Sequence, residues 1–296
     1  MPKKKKEKNI LNIFQGSEEE RMLWVSSLIP EIKHNLESSV YPNMFVQKYL
    51  ELGEINSIPK NPRETAIAID ESGEGVEMIE TGDRIFPPEF WITAKADIPV
   101  DILLKKQYNV RERTIDKVSF TLMRQLEILW YKLIYEAAVA TNRYTKFTKK
   151  DKIRSLFSKN YIIDYLKEGH KISGTLSDFC FAMNRDTYTR LPSLFHKLDK
   201  YGDICDNFKR GLSNVVIGFI SDTYPDTPSE RLMIPDNILI LLPKEGFIKM
   251  NIRHDIQVFC ADRFKDGEMA FGFLFGQMQS LCIPDCSQVA IIELPE

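Results

Sequence analysis

Residues 113–140 contain no glycine or proline, and their apolar side chains recur at gaps of three and four. This spacing predicts a helix with one continuous apolar stripe along one side. At ~1.5 Å of rise per residue the helix would be roughly 40 Å long, which is long for a globular domain. Further apolar residues off that stripe, Ile128, Trp130 and Ile134 among them, indicate that more than one side is covered. The stripe consists of Ile115, Val118, Leu122, Leu126, Leu129, Leu133 and Ala137.

The bulk composition narrows the classes of protein to consider. The chain has 296 residues, of which 43% are hydrophobic, with 40 basic and 42 acidic side chains. This near balance of charge gives no global bias toward nucleic acid. The sequence has no apolar run long enough for a membrane span and no signal-peptide core at its start. Five cysteines with neither a signal nor zinc-site spacing predict reduced, buried structural thiols.

The first 65 residues predict an arm rather than a compact domain. Five lysines in residues 1–8 predict a solvated block, either a solubilising tail or a contact for nucleic acid. Residues 18–36 predict a helix that Ser17 caps, with Glu20 completing a capping box, and Pro30 is expected to kink or end it. Residues 40–62 predict an extended segment with short helical pieces, because three prolines and one glycine interrupt it.

Residues 66–106 predict a long hairpin, because strand-like runs alternate with turn residues. One limb, residues 70–83, carries only acidic charges. The other limb is apolar and includes Phe86, Phe90, Trp91 and Ile92. A hairpin of this kind is marginal alone in water, and exposed apolar surface usually marks a contact site. We therefore expect it to dock on another subunit, the alternative being that it folds back over its own helix.

No recognised catalytic signature is present. The sequence lacks a phosphate-binding loop, a dinucleotide glycine pattern and a nucleophile elbow. Asp70 begins a partial calcium-loop pattern, but Thr81 stands where a bidentate glutamate is needed. His254, in Arg253-His254-Asp255, could act as a base oriented by an acid, and a turn between two strands is the simpler interpretation. We expect no catalytic residue, no cofactor and no metal site, and a structural role.

The rest of the chain predicts an α+β fold, since helices alternate with strands and strands alone follow. Predicted helices cover residues 148–167, 185–198 and 204–212, and a proline-rich loop covers residues 224–235. Predicted strands cover residues 179–183, 215–220, 238–242, 247–251, 256–261, 269–275, 279–283 and 288–294.

Three runs from residue 179 onward resemble the major capsid proteins of tailed phages. The run FAMNRDTYTRLPSL is similar to a buried strand that ends in Asn, followed by a helix opening with an Arg-x-x-Tyr step. VVIGFISDTYP resembles the next strand and loop. The run from Ile238 to Ile292, with its I-R-x-D-I, A-D and V-A-I steps, is similar to the closing strands. The resemblance covers most of the chain from Ala66 and implies the Hong Kong 97-type capsid fold.

The resemblance also implies an order of domains. It places an N-terminal arm at residues 1–65 and the extended hairpin, called the E-loop, at residues 66–106. A peripheral (P) domain with a long spine helix would occupy residues 107–147. An axial (A) domain would span approximately residues 148–260, and residues 261–296 would return to the P domain.

The function that the resemblance implies is a self-assembling shell. Pentamers and hexamers would enclose double-stranded phage DNA through non-specific contacts, in a virion assembled in the host cytoplasm. Scaffolding, portal and decoration proteins would be further partners, with no membrane involved. An encapsulin-like compartment shell is one alternative, and a nucleic-acid-binding or modifying protein is an alternative of another class.

The expected contacts between subunits involve the hairpin. Its apolar residues, Phe86, Phe90, Trp91 and Ile92, would pack on a neighbour's spine helix or P-domain surface. Its acidic limb would face basic residues of another copy. Those basic residues are Lys105, Lys106, Arg111 and Arg113.

Deleting Pro2–Lys8 should leave folding and particle formation intact, because a solvated charge block contributes no packing. Circular dichroism of the purified variant and electron microscopy of its particles would check this. Loss of folding on this deletion would contradict the solvated-block interpretation.

Overall fold

The structure is a computed structural model. It describes residues 10–37, 45–61, 65–76, 79–105, 109–146, 179–184, 187, 215–217, 234–243, 246–260 and 270–294. The chain divides into two compact units. Unit 1 comprises residues 1–39, 90–126 and 252–279, and unit 2 comprises residues 40–89, 127–251 and 280–296.

Helices and strands both contribute to the described part of the chain, so the predicted α+β class is confirmed. The helices are α1 Ile10–Phe14, α2 Glu18–Ser26, α3 Ile29–Glu37, α4 Val100–Lys105 and α5 Val110–Ala140, with a 3-10 turn at Cys286–Gln288. The first strands are β1 Phe45–Tyr49, β2 Ile58–Pro59, β3 Ile67–Ile69, β4 Gly75–Val76, β5 Ile79–Thr81, β6 Arg84–Phe86 and β7 Phe90–Pro99. The later strands are β8 Tyr144–Lys146, β9 Phe179–Met183, β10 Val215–Ile217, β11 Ile238–Pro243, β12 Ile248–Cys260, β13 Ala270–Ile283 and β14 Ala290–Glu293.

Three sheets organise these strands. A six-stranded sheet has the order β1-β12-β13-β3-β4, with β7 also paired to β13. A five-stranded sheet has the order β10-β9-β11-β14-β8, and a three-stranded sheet has the order β2-β6-β5. The five-stranded sheet is mixed, because β10 runs parallel to β9 and β8 parallel to β14, while β11 is antiparallel to both its neighbours.

The long helix predicted at residues 113–140 is confirmed as α5. Six of its seven stripe residues are buried, the exception being the half-buried Leu126. Trp130 and Ile134, which lie off the stripe, are also fully buried. The expectation that this helix is covered on more than one side is therefore correct within unit 2, which supplies residues 127–140.

The helices of the arm begin and end near the residues that the sequence predicts, Ser17 as the N-cap and Pro30 as the interruption. Ser17 caps α2, and its hydroxyl accepts a hydrogen bond from the Glu20 backbone N–H at 3.2 Å. The predicted single helix is interrupted at Ser27 and Leu28, and Pro30 becomes the second residue of α3. Proline is tolerated there because the first turn of a helix needs no N–H donor.

The core of unit 1 lies under one face of β7 and β13. The alternating pleat buries Phe90, Ile92 and the other even-numbered residues of β7 through Ile98. Phe14 of α1 is buried against this sheet, 5.1 Å from the Phe271 ring and 6.1 Å from the Phe273 ring, centroid to centroid. This packing holds the N-terminal helices on the sheet.

A side chain of α5 closes the second edge of β7. Residues 90–99 pair with β13 on one edge, and no described strand pairs with the other edge. There the Thr93 N–H donates to Gln125 Oε1 at 3.0 Å, and Gln125 Nε2 donates to the Thr93 carbonyl at 2.7 Å. The amide thus satisfies both backbone groups of one strand residue.

The pairing of β7 corrects the single-hairpin prediction. The aromatic limb does not pair with the acidic limb over residues 90–99, because β13 takes that place. Instead β3 with β4, and β5 with β6, form two short hairpins. The β5–β6 turn contains Gly82 at φ +62°, as the predicted Thr81-Gly82-Asp83 turn requires. The sequence pattern predicts a strand segment at residues 98–104, but β7 ends at Pro99 and helix α4 follows from Val100 to Lys105.

Two other strand predictions are wrong in detail. Residues 247–251 and 256–261 were expected as two strands, yet β12 runs unbroken from Ile248 to Cys260. Arg253-His254-Asp255 therefore lies within a strand and not in a turn. Similarly, β13 joins the two strands expected at residues 269–275 and 279–283. The strands predicted at residues 179–183 and 238–242 are confirmed as β9 and β11.

Some predictions lie outside the described residues. These are the block at residues 1–8, the helices at residues 148–167 and 204–212, most of the helix at residues 185–198, and most of the loop at residues 224–235. The described parts of residues 40–62 contain strands β1 and β2 and no helix. The domain boundaries implied by the resemblance stay a prediction.

Replacing Gln125 with leucine should destabilise unit 1 by about 1–3 kcal/mol, because the part-buried Thr93 backbone groups would lose both partners. Gln125→Glu keeps an acceptor for the Thr93 N–H but places a carboxylate oxygen, which cannot donate, against the Thr93 carbonyl, so this variant should also be less stable than wild type. Urea unfolding followed by circular dichroism would rank wild type above both variants. Equal stability of wild type and Gln125→Leu would contradict the proposed closure of the edge.

Candidate functional site: exposed apolar surfaces

Three surfaces of the described chain expose large apolar side chains. We call Trp91, His254 and Phe259 in unit 1 the Trp91 patch. In unit 2, the outer stripe of α5 comprises Ile128, Tyr131, Tyr135 and Val139. The arm segment, residues 45–56 of unit 2, exposes Val46, Tyr49, Leu52 and Ile55. Since apolar surface of this kind usually marks a contact site, these surfaces are the candidate functional site.

The Trp91 patch follows from the pleat of β7. Phe90 and Ile92 point into the core, so Trp91 points to the opposite face and remains 37% exposed. Its ring stacks on His254 with centroids 5.8 Å apart and planes 11° apart. Phe259 lies edge-on to it at 6.3 Å. The three rings form one exposed aromatic surface on β7 and β12.

A glycine makes room for this arrangement. Gly276 of β13 is paired with Thr93, which lies two residues along β7 from Trp91 and on the same face of the sheet. A Cβ atom placed on Gly276 would lie 3.1 Å from Cε3 of Trp91. The absent side chain lets the indole lie over β13, which separates β7 from β12 in the sheet. A larger residue at this position would displace the ring.

The four apolar residues predicted to contact another subunit have different environments. Phe90 and Ile92 are 5% and 2% exposed, because the inner face of the sheet covers them. The expectation that they lack local packing is therefore wrong. Phe86 is half-buried on β6. Trp91 is the exposed member of the set, and its contact with another subunit stays a prediction.

The charged residues predicted to join subunits are only partly available. Arg111 forms an ion pair with Glu31 of α3 and donates to the Ser27 hydroxyl at 3.2 Å, both within unit 1. Arg113 is exposed on α5. The side chain of Lys105 and the whole of Lys106 lie outside the described residues.

The acidic limb is organised by contacts within unit 2. Asp70 Oδ1 accepts hydrogen bonds from the Ser72 N–H at 2.8 Å and the Ser72 hydroxyl at 2.6 Å. These bonds, the hydroxyl bond foremost, lower the pKa of Asp70. Glu80 pairs with Lys60 at 2.6 Å. Glu71 and Glu74 remain exposed and keep this limb negative.

The two tyrosines of the outer stripe lie close to a third tyrosine, Tyr144 of β8. The Tyr135 ring lies 6.4 Å from Tyr131 and 5.8 Å from Tyr144 of β8, centroid to centroid. The Tyr144 hydroxyl donates to Glu293 Oε2 at 2.7 Å, and Lys146 forms an ion pair with the same carboxylate. These contacts fix the end of α5 to the edge of the five-stranded sheet.

Shifted pKa values favour the neutral form of Tyr131 and Tyr144 and the charged form of Glu293. Burial raises the pKa of Tyr131 to about 12. Burial, and then the hydrogen bond to Glu293, raise the pKa of Tyr144. The Lys146 ammonium, followed by the Tyr144 hydroxyl, lowers the pKa of Glu293. The outer stripe thus has a neutral aromatic surface next to one ion pair.

The arm segment has a buried polar anchor at its end. Asn56 Nδ2 donates to Ser280 Oγ at 3.0 Å and to the Pro87 carbonyl at 3.1 Å. Asn251 Nδ2 donates to Asn56 Oδ1 at 2.8 Å. All three side chains are buried. Sequence reasoning missed this anchor, because isolated asparagines in a loop and a strand give no signal of pairing.

The remaining predictions concern thiols, metals and membranes. Cys282 and Cys286 are free and buried as expected, and burial raises the pKa of both thiols. Within the described ranges, no group of three or more His, Cys, Asp or Glu residues could hold a metal ion. None of the helices in those ranges combines the length and apolar character needed to cross a membrane.

Replacing Glu293 with glutamine should lower the thermal midpoint at pH 7, by an amount equivalent to about 1 kcal/mol, because a charged acceptor is lost. Since folding lowers the pKa of Glu293, its contribution is present above the unfolded value of about 4.5 and disappears as pH falls through the folded value. The difference from wild type should therefore shrink as pH falls below about 4.5 in calorimetric scans. Glu51→Gln, at an exposed position, serves as the control, and a pH-independent difference for Glu293→Gln would contradict the role of its charge.

Comparison with known proteins gives only remote structural similarity. No protein-family model and no curated protein matches the sequence. A virus-like particle from Pyrococcus furiosus matches with 13% identity and a TM-score of 0.48, covering 90% of this chain and 98% of that one. The capsid of cyanophage P-SCSP1u matches with 10% identity and a TM-score of 0.49, covering 88% and 89%.

A chain of the satellite phage P4 procapsid matches with 12% identity and a TM-score of 0.49, covering 92% of this chain and 91% of that one. The matched chains thus come from a virus-like particle, a capsid and a procapsid.

Proposed function

We propose that this chain is a major capsid protein that assembles with copies of itself into an icosahedral shell around phage DNA. The observation that carries the proposal is the set of exposed apolar surfaces on well-packed elements of both units. Trp91 lies on a strand whose other face is core, and Tyr135 lies on a helix whose inner stripe is buried. Surfaces of this kind are completed by another protein surface. The sequence resemblance to capsid proteins supports the identity of that partner as a second copy.

The proposed contact joins the Trp91 patch of one copy to the outer stripe of α5 in a neighbour. Both surfaces are aromatic and only partly hydrated, and aromatic pairs gain about 0.5–1.5 kcal/mol beyond the area they bury. In this proposal Phe259 makes the contact that the sequence assigned to Phe90 and Ile92, because Phe259 is exposed beside Trp91. The backbone positions are set before contact, which lowers the entropy lost on association.

Charges would then set the register of the contact. The acidic limb, with Glu71 and Glu74 exposed, would face basic residues of another copy, Arg113 among them. Exposed ion pairs are worth only ~0–1 kcal/mol each, so they orient subunits more than they hold them together.

The proposal extends to the assembly as a whole. Obligate interfaces of shell subunits usually bury ~2,000 Å² or more, so several surfaces must act together. Subunits would form hexamers and pentamers in the host cytoplasm, with scaffolding, portal and decoration proteins as further partners. Packaged double-stranded DNA would make non-specific contacts with the inner wall of the virion. The role is structural and requires no catalytic residue.

Trp91→Ala should give folded subunits that assemble poorly, because it removes the centre of one contact surface and leaves the buried face of β7 intact. Negative-stain electron microscopy should show closed particles for wild type and mainly free subunits for Trp91→Ala. Leu23→Ala is the matched control, since Leu23 is a more exposed apolar residue, at 67%, on helix α2. Normal particles from Trp91→Ala would refute the assigned role, and a wild type that remains monomeric at high concentration would refute the proposed function.

A further inference from the structure

Strand β1 is the terminal strand of the six-stranded sheet. It lies beside β12 in the sheet order, and no described strand pairs with its outer edge. Four of its five residues are exposed, so neither face is well covered by the rest of the described chain. Beyond it, Leu52 and Ile55 are also exposed. An edge of this kind presents backbone donors and acceptors that another extended strand can use.

The usual protection of an edge strand is weak here. A lysine on an edge normally opposes pairing, and β1 has Lys48. That ammonium forms an ion pair with Glu54 of the same segment, which offsets its charge. The segment from residue 45 to residue 56 contains no proline. The edge is therefore open to strand addition.

The edge is also held in place. Val46 packs on Gly246. A Cβ atom placed on Gly246 would lie 2.7 Å from Cγ2 of Val46. At the other end of the arm segment, Asn56 is fixed by its buried hydrogen bonds to Ser280 and Pro87. Both anchors lie in unit 2. A segment anchored at Val46 and at Asn56 needs little reordering to accept a partner.

We infer that β1 pairs antiparallel with β1 of a second copy across a local twofold axis centred on Gln47. The inference rests on the proposed function, which supplies the second copy. The sequence Phe-Val-Gln-Lys-Tyr suits this pairing, because it has an aromatic residue at each end and an uncharged amide in the centre. Reversal places Phe45 of each copy opposite Tyr49 of the other and Gln47 opposite itself.

The charges of β1 are compatible with this register. Lys48 lies opposite Val46 of the other copy, and the two Lys48 side chains are diagonal neighbours at roughly 7–8 Å. Like charges at that distance repel, but Glu54 neutralises each of them within its own segment. An isologous contact of this type uses the same surface on both subunits, as a twofold axis requires.

The pair is too small to hold free subunits together. Five residues at ~3.4 Å each span roughly 17 Å, and the area buried falls well short of the ~1,200 Å² typical of stable interfaces. The pairing therefore forms within assembled particles. There, the other contacts raise the effective concentration of one β1 strand near another.

Cysteine cross-linking in particles tests the register. Residues directly opposite in an antiparallel pair have Cα atoms about 4.5–5.5 Å apart, within the range that a disulfide spans. Gln47→Cys particles oxidised with diamide, which accepts the two electrons and two protons of the thiols, should give a covalent dimer on a non-reducing gel. Leu52→Cys is the matched control from the same segment, because the two copies of residue 52 would lie roughly 30 Å apart in this register.

The outcomes separate this inference from the proposed function. A dimer band with Gln47→Cys, absent with Leu52→Cys and wild type, supports the twofold pair. Closed particles that give no Gln47→Cys dimer, or equal dimer with both variants, overturn the pairing and leave the proposed function standing. Hydrogen exchange provides a second readout on the wild type, since backbone amides of residues 45–49 should exchange at least tenfold more slowly in particles than in free subunits. Unchanged exchange would also overturn the pairing, whereas failure of the wild type to form particles would overturn the proposed function itself.

Discussion

Helix α5 carries more apolar surface than the described chain covers. Its inner stripe is buried, and Trp130 and Ile134 widen the buried sector in unit 2. The helical period still leaves Ile128, Tyr135 and Val139 on the opposite side, where they remain exposed. Apolar surface in water is unfavourable at ~25 cal/mol per Å², so burying this stripe against another protein would release free energy that folding alone does not obtain. The surfaces described in unit 1 and in the arm segment share this property.

Elements with strong local signals were predictable from the sequence. The uninterrupted apolar period of residues 113–140 determines a helix regardless of its partners, and α5 has nearly the expected bounds. Ser17 and Pro30 act within one turn of their own positions, so the start of α2 and the break before α3 were also predictable. The all-apolar run at residues 238–242 similarly indicated the buried strand β11. In each case the information lies within a few residues of the feature.

Pairing between distant strands was not predictable. An apolar alternation identifies β7 as a strand but does not identify its neighbour, and β13 lies more than 170 positions later in the chain. The short run at residues 100–105 has no clear period, so strand and helix were indistinguishable by pattern. Gly276 lies between the two strands predicted at residues 269–275 and 279–283, yet it is part of one continuous strand, where its missing side chain makes room for Trp91.

The candidate site also combines features that local sequence predicts with features that only the fold determines. The sequence pointed to Trp91 as a contact residue because it belongs to an apolar cluster without an evident local partner. Phe90 and Ile92 belong to the same cluster, and they could be distinguished from Trp91 only once the face of β7 on which each lies was known. The large exposed apolar residues of the arm segment recur at every third position, from Val46 to Ile55, and this spacing fits neither a strand nor a long helix. Val46 and Tyr49 are exposed on β1 at the end of a sheet, and only the fold determines that position.

Several small surfaces suit the proposed shell better than one large surface would. A single strong interface would make early contacts hard to reverse, so an incorrectly placed subunit would remain in the growing particle. Differences in affinity appear mainly in dissociation rates, so weak individual contacts let such a subunit leave within the time of assembly. In a closed shell every subunit makes all its contacts at once, and the combined free energy then exceeds that of any one of them. Three surfaces of this protein fit assembly through many weak contacts. They are the edge of β1, the Trp91 patch and the outer stripe of α5, and each would provide a contact of modest strength at a fixed position.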